Sequence, residues 1–203
     1  LKRKRDESFF YIFDELFSAV IAEILALKRV LIEKVNIHLH EMNFAPLGIR
    51  EKLFFTLLGR TEEQSVEKIG ERLKGNLKLD LNLGYTQFHA QSEDYLFFLN
   101  GLDLKLFGSL GQQKMAYIGL NLAFLELYLA ERNISPLVLI DDFSGELDRY
   151  KWNYLMDYLQ MRPVQLIMTT ANEAFCHQLA QQYEMKVLRV KEGEFYSGLE
   201  ERQ

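Results

Sequence analysis

From Phe13 onward the apolar residues Leu16, Phe17, Val20, Ile24, Leu27, Leu31 and Val35 return every three or four positions, with Glu15, Lys28 and Glu33 among the polar positions. That period stacks side chains on one face of an α-helix, so the pattern predicts a long amphipathic helix. Pro46 and Gly48 interrupt it, and the short apolar segment from Lys52 to Leu58 fits a helix or a strand alike. Thr61 and Gln64 have the spacing of a capping box, Val66, Ile69 and Leu73 share a face, and Gly75 stands where a helix would stop. A second, shorter helix follows.

The character of the chain then changes. Leu77, Leu79, Leu81 and Leu83 alternate with polar residues, which predicts a half-buried strand. Tyr95 to Leu99 and Leu102 to Phe107 flank Asn100-Gly101, a dipeptide suited to a tight antiparallel hairpin. Beyond Gly108 the pattern predicts helix 111–131, strand 136–141, helix 149–161, strand 164–169, helix 173–183 and strand 185–191. Such alternation builds an α/β fold with a mainly parallel sheet covered by helices. The shift near residue 76 divides the chain into a helical lobe, 1–76, and an α/β lobe, 77–203.

Composition narrows the function classes. The chain has 203 residues, 48% of them hydrophobic, and a net charge of −5. That is enough for a substantial core, and nothing global favours nucleic acid. Lys2, Arg3, Lys4 and Arg5 form a short basic run of the kind that usually is a solvated tail. Cys176 is the sole cysteine, which excludes an internal disulfide and fits a reducing, cytoplasmic setting. Met115 to Ala130 is the longest apolar stretch, but it contains Asn121 and Glu126 and falls short of the roughly 20 residues that cross a membrane. His38 and His40, two apart on a helix, do not share a face as metal ligands would.

Two segments carry chemistry. Leu137 to Ile140 reads as a central strand that delivers Asp141 and Asp142 to its carboxyl end, the edge where open α/β sheets bind ligands. One carboxylate there can hold Mg²⁺ and a second can orient a water toward a γ-phosphate, roles we expect of Asp141 and Asp142 respectively. A plain helix cap after a strand, which Asp148 could supply, is the alternative. Upstream, Gly108-Ser-Leu-Gly-Gln-Gln-Lys114 opens a long helix. Ser109 can cap it, and Gly108 and Gly111 let backbone N–H groups approach an anion. An ordinary capped turn explains this segment equally well in isolation.

Together the two segments resemble the signature loop, Walker B strand and D-loop of ATP-binding-cassette ATPases, and their wording is similar to the RecF family. RecF-like chains carry Gly-Ser-Gln-Gly-Gln-Gln-Arg, then Leu-Asp-Asp-x-x-Ser-Glu-Leu-Asp; here Ile140-Asp-Asp-Phe-Ser-Gly-Glu-Leu-Asp148 stands in the second place. Gly84-Tyr-Thr86, Phe97-Phe-Leu-Asn-Gly101 and Thr169-Thr170 follow the same order, and the first helix, with Arg29, resembles the start of the family's helical second lobe. The sequence departs at His89-Ala-Gln-Ser-Glu-Asp94, where the family has Gly-Pro-His-Arg-Asp-Asp, at Leu110 for glutamine, and at Gly145 for serine. The resemblance therefore assigns His89 no role.

The resemblance implies that Ser109, Gly111 and Gln112, with the adjoining Gln113, serve a nucleotide held by a partner subunit. It implies that Asp141 helps hold Mg²⁺, that Asp142 is the catalytic carboxylate, that Asp148 lies in a D-loop at a dimer interface, and that Thr169 occupies the switch position. It further implies an ATP-dependent homodimer that binds double-stranded or gapped DNA and assists recombinase loading with RecO and RecR in DNA repair, replication and the SOS response. No Walker A motif, G-x-x-x-x-G-K-[ST], occurs in the chain. In the family that loop lies nearer the amino terminus, and with Leu1 in place of Met the chain reads as the carboxy-terminal portion of a longer protein. A transport subunit should show Asp-Glu and a switch histidine, and a chromosome-structuring head a long preceding heptad repeat. A degenerate head that dimerises without hydrolysis is the further alternative.

Overall fold

The computed structural model describes residues 7–50, 52–57, 65–90, 94–132, 134–142 and 147–198, with backbone only for residues 7–11. The basic run at 2–5, Leu58, the pair Thr61 and Gln64, Gln91 to Glu93, and Gly145 lie outside the described residues, as do the side chains of residues 7–11. The chain forms two compact units, Leu1–Glu131 and Arg132–Gln203.

In the first unit, α1 (Glu7–Glu41) is a single helix of 35 residues. One of its faces is buried through Ile21, Leu25, Ile32, Val35 and Leu39. That face packs on α2 (Val66–Leu83), on β1 (Leu53–Leu57) and on α4 (Leu110–Glu131). The ambiguous segment after Lys52 is thus a strand. Its place is fixed by Asn36, a buried side chain whose Nδ2 donates to the carbonyl of Phe55 at 2.7 Å and whose Oδ1 accepts from the Phe55 N–H at 2.9 Å. β1 pairs antiparallel with β2 (Tyr95–Leu99), Phe55 opposite Phe97. β2 turns through Asn100 and Gly101, both at positive φ (49° and 80°), into β3 (Leu102–Asp103). The two-residue loop is the one expected. The following strand stops early because the Asp103 carboxylate accepts the Lys105 N–H at 2.8 Å and starts the short helix α3 (Leu104–Phe107).

The expected strand over Leu77–Leu83 is instead the second half of α2, and Gly75 lies inside that helix. Ile69, Leu73, Leu77 and Leu81 recur every fourth residue, and all four are at least partly buried, whereas Leu79 and Leu83 face solvent. The alternation was an accident of leucines on two helical faces. Ser65 caps the start, its Oγ accepting the Lys68 N–H, and the helix ends at Gly84, whose φ of 84° is left-handed.

The second unit is α/β. β4 (Leu137–Ile140) and β5 (Gln165–Met168) are parallel, connected by α5 (Arg149–Gln160). α6 (Glu173–Gln182) follows, then an antiparallel hairpin of β6 (Leu188–Lys191) and β7 (Glu194–Ser197). The alternation of helices and strands holds as expected, with parallel pairing in β4–β5. The hairpin was not anticipated, although Glu192 and Gly193 turn it through positive φ much as Asn100-Gly101 does. Trp152, Leu155, Met156, Leu159 and Leu179 form the buried set. The Tyr183 hydroxyl donates to Asp157 Oδ1 at 3.0 Å, and burial together with that carboxylate pushes its pKa up to about 12. Among the described residues no helix is long and apolar enough to cross a membrane.

The Asn36 bridge makes a first prediction. Replacing Asn36 by Ala leaves two buried backbone groups of Phe55 without their side-chain partners, at a cost of roughly 1–3 kcal/mol each. Urea unfolding should show a clear loss of stability, whereas substitution of the solvent-facing Leu79 by Ala should show little.

Candidate nucleotide site

Parallel register decides the geometry in the second unit. Ile140 sits opposite Met168, so both strands leave the sheet at the same level, and the next residues out are Asp141 and Thr169. The Thr169 N–H continues the ladder to the Ile140 carbonyl at 2.9 Å. Its hydroxyl does two things at once. It donates to Asp141 Oδ1 and accepts the Asp142 N–H at 3.0 Å. That use of one O–H as both donor and acceptor fixes the orientation of the Asp141 carboxylate and the path of the chain after it. Asp142 has φ of 45°, a left-handed conformation that aspartate tolerates better than most residues, and the hydroxyl bond helps hold it there. Three of the expected site residues are thereby brought together.

Both aspartates are exposed at this edge. With one Asp141 oxygen tied to Thr169, its other oxygen and the Asp142 carboxylate stand at the exposed edge. Among the described residues no group of three or more His, Cys, Asp or Glu side chains is arranged around a metal. Mg²⁺ is usually held by one or two carboxylates plus nucleotide phosphates and water, and Asp141 and Asp142 offer carboxylates at this edge. Asp148, by contrast, is the N-cap of α5. Its Oδ1 accepts the Lys151 N–H at 3.0 Å and its Oδ2 pairs with Lys151 Nζ at 2.9 Å. The backbone N–H of Lys151, then its ammonium, hold the Asp148 carboxyl below its usual pKa.

The turn before α4 belongs to the first unit. Ser109 Oγ accepts the Gln112 N–H at 3.2 Å, and Gln112 Oε1 accepts the Ser109 N–H at 2.9 Å, a reciprocal capping box. Gln113 Nε2 donates to the carbonyls of Leu104 and Gly108 at 3.2 and 3.0 Å, tying α3 to α4. Glycine is required at 108, since a Cβ there would lie 2.6 Å from the Leu104 carbonyl oxygen. At Gly111 a Cβ would meet nothing within 4 Å, so the space outside the helix start is open. The cap engages Ser109 Oγ as an acceptor, which leaves its O–H able to donate, and a helix start of this kind suits an anion.

No family model matches the chain. Curated relatives do. A protein described as DNA replication and repair protein RecF from Ruminiclostridium cellulolyticum is 35% identical over 120 residues, which is 59% of this chain and 32% of the relative. The protein of the same description from Alkaliphilus oremlandii is 32% identical over 166 residues, 78% of this chain and 45% of the relative. A solved structure described as the recombination mediator protein RecF-ATP in the RecFOR pathway superposes with a TM-score of 0.74 at 25% identity, covering 97% of this chain and 52% of that one. The chain is related to RecF. It spans about half the length of the RecF structure and less of the curated RecF proteins it matches.

Sequence reasoning named Thr169 through the RecF pattern alone. The physical signal was its place directly after β5, one step beyond the Met168–Ile140 pair. The Gln113 clamp had no sequence signal beyond the paired glutamines.

Two tests follow. Thr169→Val, which keeps the shape and removes the hydroxyl, should destabilise the second unit by about 1 kcal/mol in chemical denaturation, while Thr170→Val changes less. The lowered pKa of Asp148 contributes stability that is present above the unfolded value near 4 and is lost as pH falls through the folded value. The difference in Tm between the native protein and Asp148→Asn, which keeps a capping oxygen, should therefore be widest near neutral pH and shrink as pH falls below the unfolded value.

Proposed function

We propose that this chain is the signature and acidic half of an ATP-controlled, RecF-like DNA repair protein of the cytoplasm. The observation that carries the reading is the Asp141–Thr169–Asp142 junction at the carboxyl end of a parallel strand pair. In this reading Asp141, its orientation fixed by Thr169, would hold Mg²⁺, and the chemistry supplied there would be charge neutralisation at the nucleotide phosphates. Asp142 accepts a hydrogen bond from the attacking water and aligns it with the γ-phosphate. The exposed position of its carboxylate suits contact with a ligand outside the sheet edge.

Ser109, Gly111 and Gln112 serve the nucleotide bound by a second copy. The Ser109 proton and the first N–H groups of α4 supply donors to a γ-phosphate, Gly111 keeps the approach open, and Gln112 and Gln113 position the turn. Leu106, Phe107 and Leu110 surround this turn and are largely exposed, an apolar rim that suits burial against another subunit. Asp148 would sit at the same interface through the start of α5. ATP then acts as a ligand that favours the dimer, because the phosphate has its full set of donors only when two copies meet. RecF-like partners, RecO and RecR, and double-stranded or gapped DNA belong to the complete protein. With a net charge of −5 here, a basic DNA footprint would come mainly from other residues of that protein.

The reading is tested in the RecF-length protein. Asp142→Asn should slow ATP hydrolysis by on the order of 10²-fold or more, a loss typical of removing a water-positioning group, while ATP-driven dimerisation by light scattering persists. Unchanged turnover would contradict the role of Asp142.

A further inference from the structure

α5 buries one face through Trp152, Leu155, Met156 and Leu159. Along the neighbouring face Tyr150, Tyr154 and Tyr158 stand four residues apart, hence one above the other, and Met161 and Arg162 follow at the end of the row. Tyr150 and Met161 are 68% and 81% exposed, while Tyr154 and Tyr158 are half-buried. The rings of Tyr154 and Tyr158 lie 6.2 Å apart with their planes tilted by 40°, so they are not closed into a stack on each other. The Arg162 guanidinium lies 3.4 Å from the centre of the Tyr158 ring, and its Nη1 donates to the Tyr158 carbonyl at 2.9 Å. A planar cation laid on a ring adds one more flat surface to the row. From Asp148 to Arg162 the charges are Arg149, Lys151 and Arg162 against Asp148 and Asp157. Asp148 is paired with Lys151 and Asp157 accepts the Tyr183 hydroxyl, so the two arginines give this helix a positive character in a chain of net charge −5.

We propose that this face of α5 binds a single-stranded segment of nucleic acid, whose bases stack on the tyrosines and whose phosphates meet Arg149 and Arg162. Unstacked bases offer flat faces that a duplex keeps within its own stack, so a row of rings selects single strands and tolerates any base. A proline-rich peptide also packs on tyrosines, but it brings no negative charge to the arginines. The proposal rests on reading the chain as part of a DNA repair protein and is independent of the roles given to Asp141, Asp142 and Ser109.

Fluorescence anisotropy with a fluorescein-labelled oligo(dT) tests it in the RecF-length protein, with and without ATP. Tyr150→Leu should weaken binding about tenfold, and Tyr150→Phe should leave it nearly unchanged, because the ring stacks and the hydroxyl does not. Arg162→Gln should reduce the slope of log K against log salt by about 0.7. Tyr128→Leu, at an exposed tyrosine of α4, should change nothing. Native affinity in Tyr150→Leu would overturn the proposal, and so would equal losses for the Leu and Phe variants. A loss equally large for a blunt duplex would overturn it too, because the face would then not select single strands. If Tyr150→Leu weakens a proline-rich peptide and not oligo(dT), the partner is a protein and the proposal fails. No binding to oligo(dT) or duplex in either condition would overturn the DNA repair reading along with it.

Discussion

The parallel pairing of β4 with β5 is the constraint from which the candidate site follows. Parallel strands bring their carboxyl ends to the same edge, and the register that sets Ile140 against Met168 leaves Asp141 beside Thr169. The threonine hydroxyl then converts proximity into orientation, because it bonds the Asp141 carboxylate and the Asp142 amide together. A slip of one residue would turn every side chain to the opposite face and put Met168 or Thr170 in that place. Strand register and site chemistry are therefore one specification.

The signature turn is built by a different device. There the backbone of α3 and α4 is held by side-chain amides and a hydroxyl, with Gln112 and Ser109 capping each other and Gln113 bridging two carbonyls. All of these bonds lie within the turn, so its shape does not depend on a bound anion. Donors fixed before a ligand arrives lose little freedom on binding. The turn before α4 and the edge at Asp141 share this property: hydrogen bonds from the protein's own groups hold the side chains that would meet charge.

Much of the fold was legible because the elements around the site obey one rule each. The β-branched and aliphatic run at 137–140 and the Asn100-Gly101 turn admit a single reading, while the three-and-four spacing of α1 gives the helix but not its buried face, since of that series only Val35 is buried. The misread segment, Leu77 to Leu83, satisfied two periods at once. Leucine suits a helix, and only the burial of Leu77 and Leu81 beside Ile69 and Leu73 decides between them. The hydrogen bonds of Asn36, Gln113 and Thr169 were not legible as contacts, because each joins groups on separate elements or a side chain to a main-chain atom whose position only the folded chain defines. Asp148 shows the converse. Its capping role was among the sequence readings, and the structure supplies it, while a part at an interface belongs to the assembled protein.

The central claim is that Ser109 and Asp142 act on the same nucleotide from different copies. Mixing two inactive RecF-length variants tests it directly, one carrying Ser109→Ala and the other Asp142→Asn. A mixed dimer keeps one site with both residues native, so hydrolysis should recover on mixing to about a quarter of the native rate, half of the dimers being mixed and each holding one of two sites. If the mixture stays as inactive as its components while mixed dimers form, the two residues do not share a site across subunits, and the account is wrong.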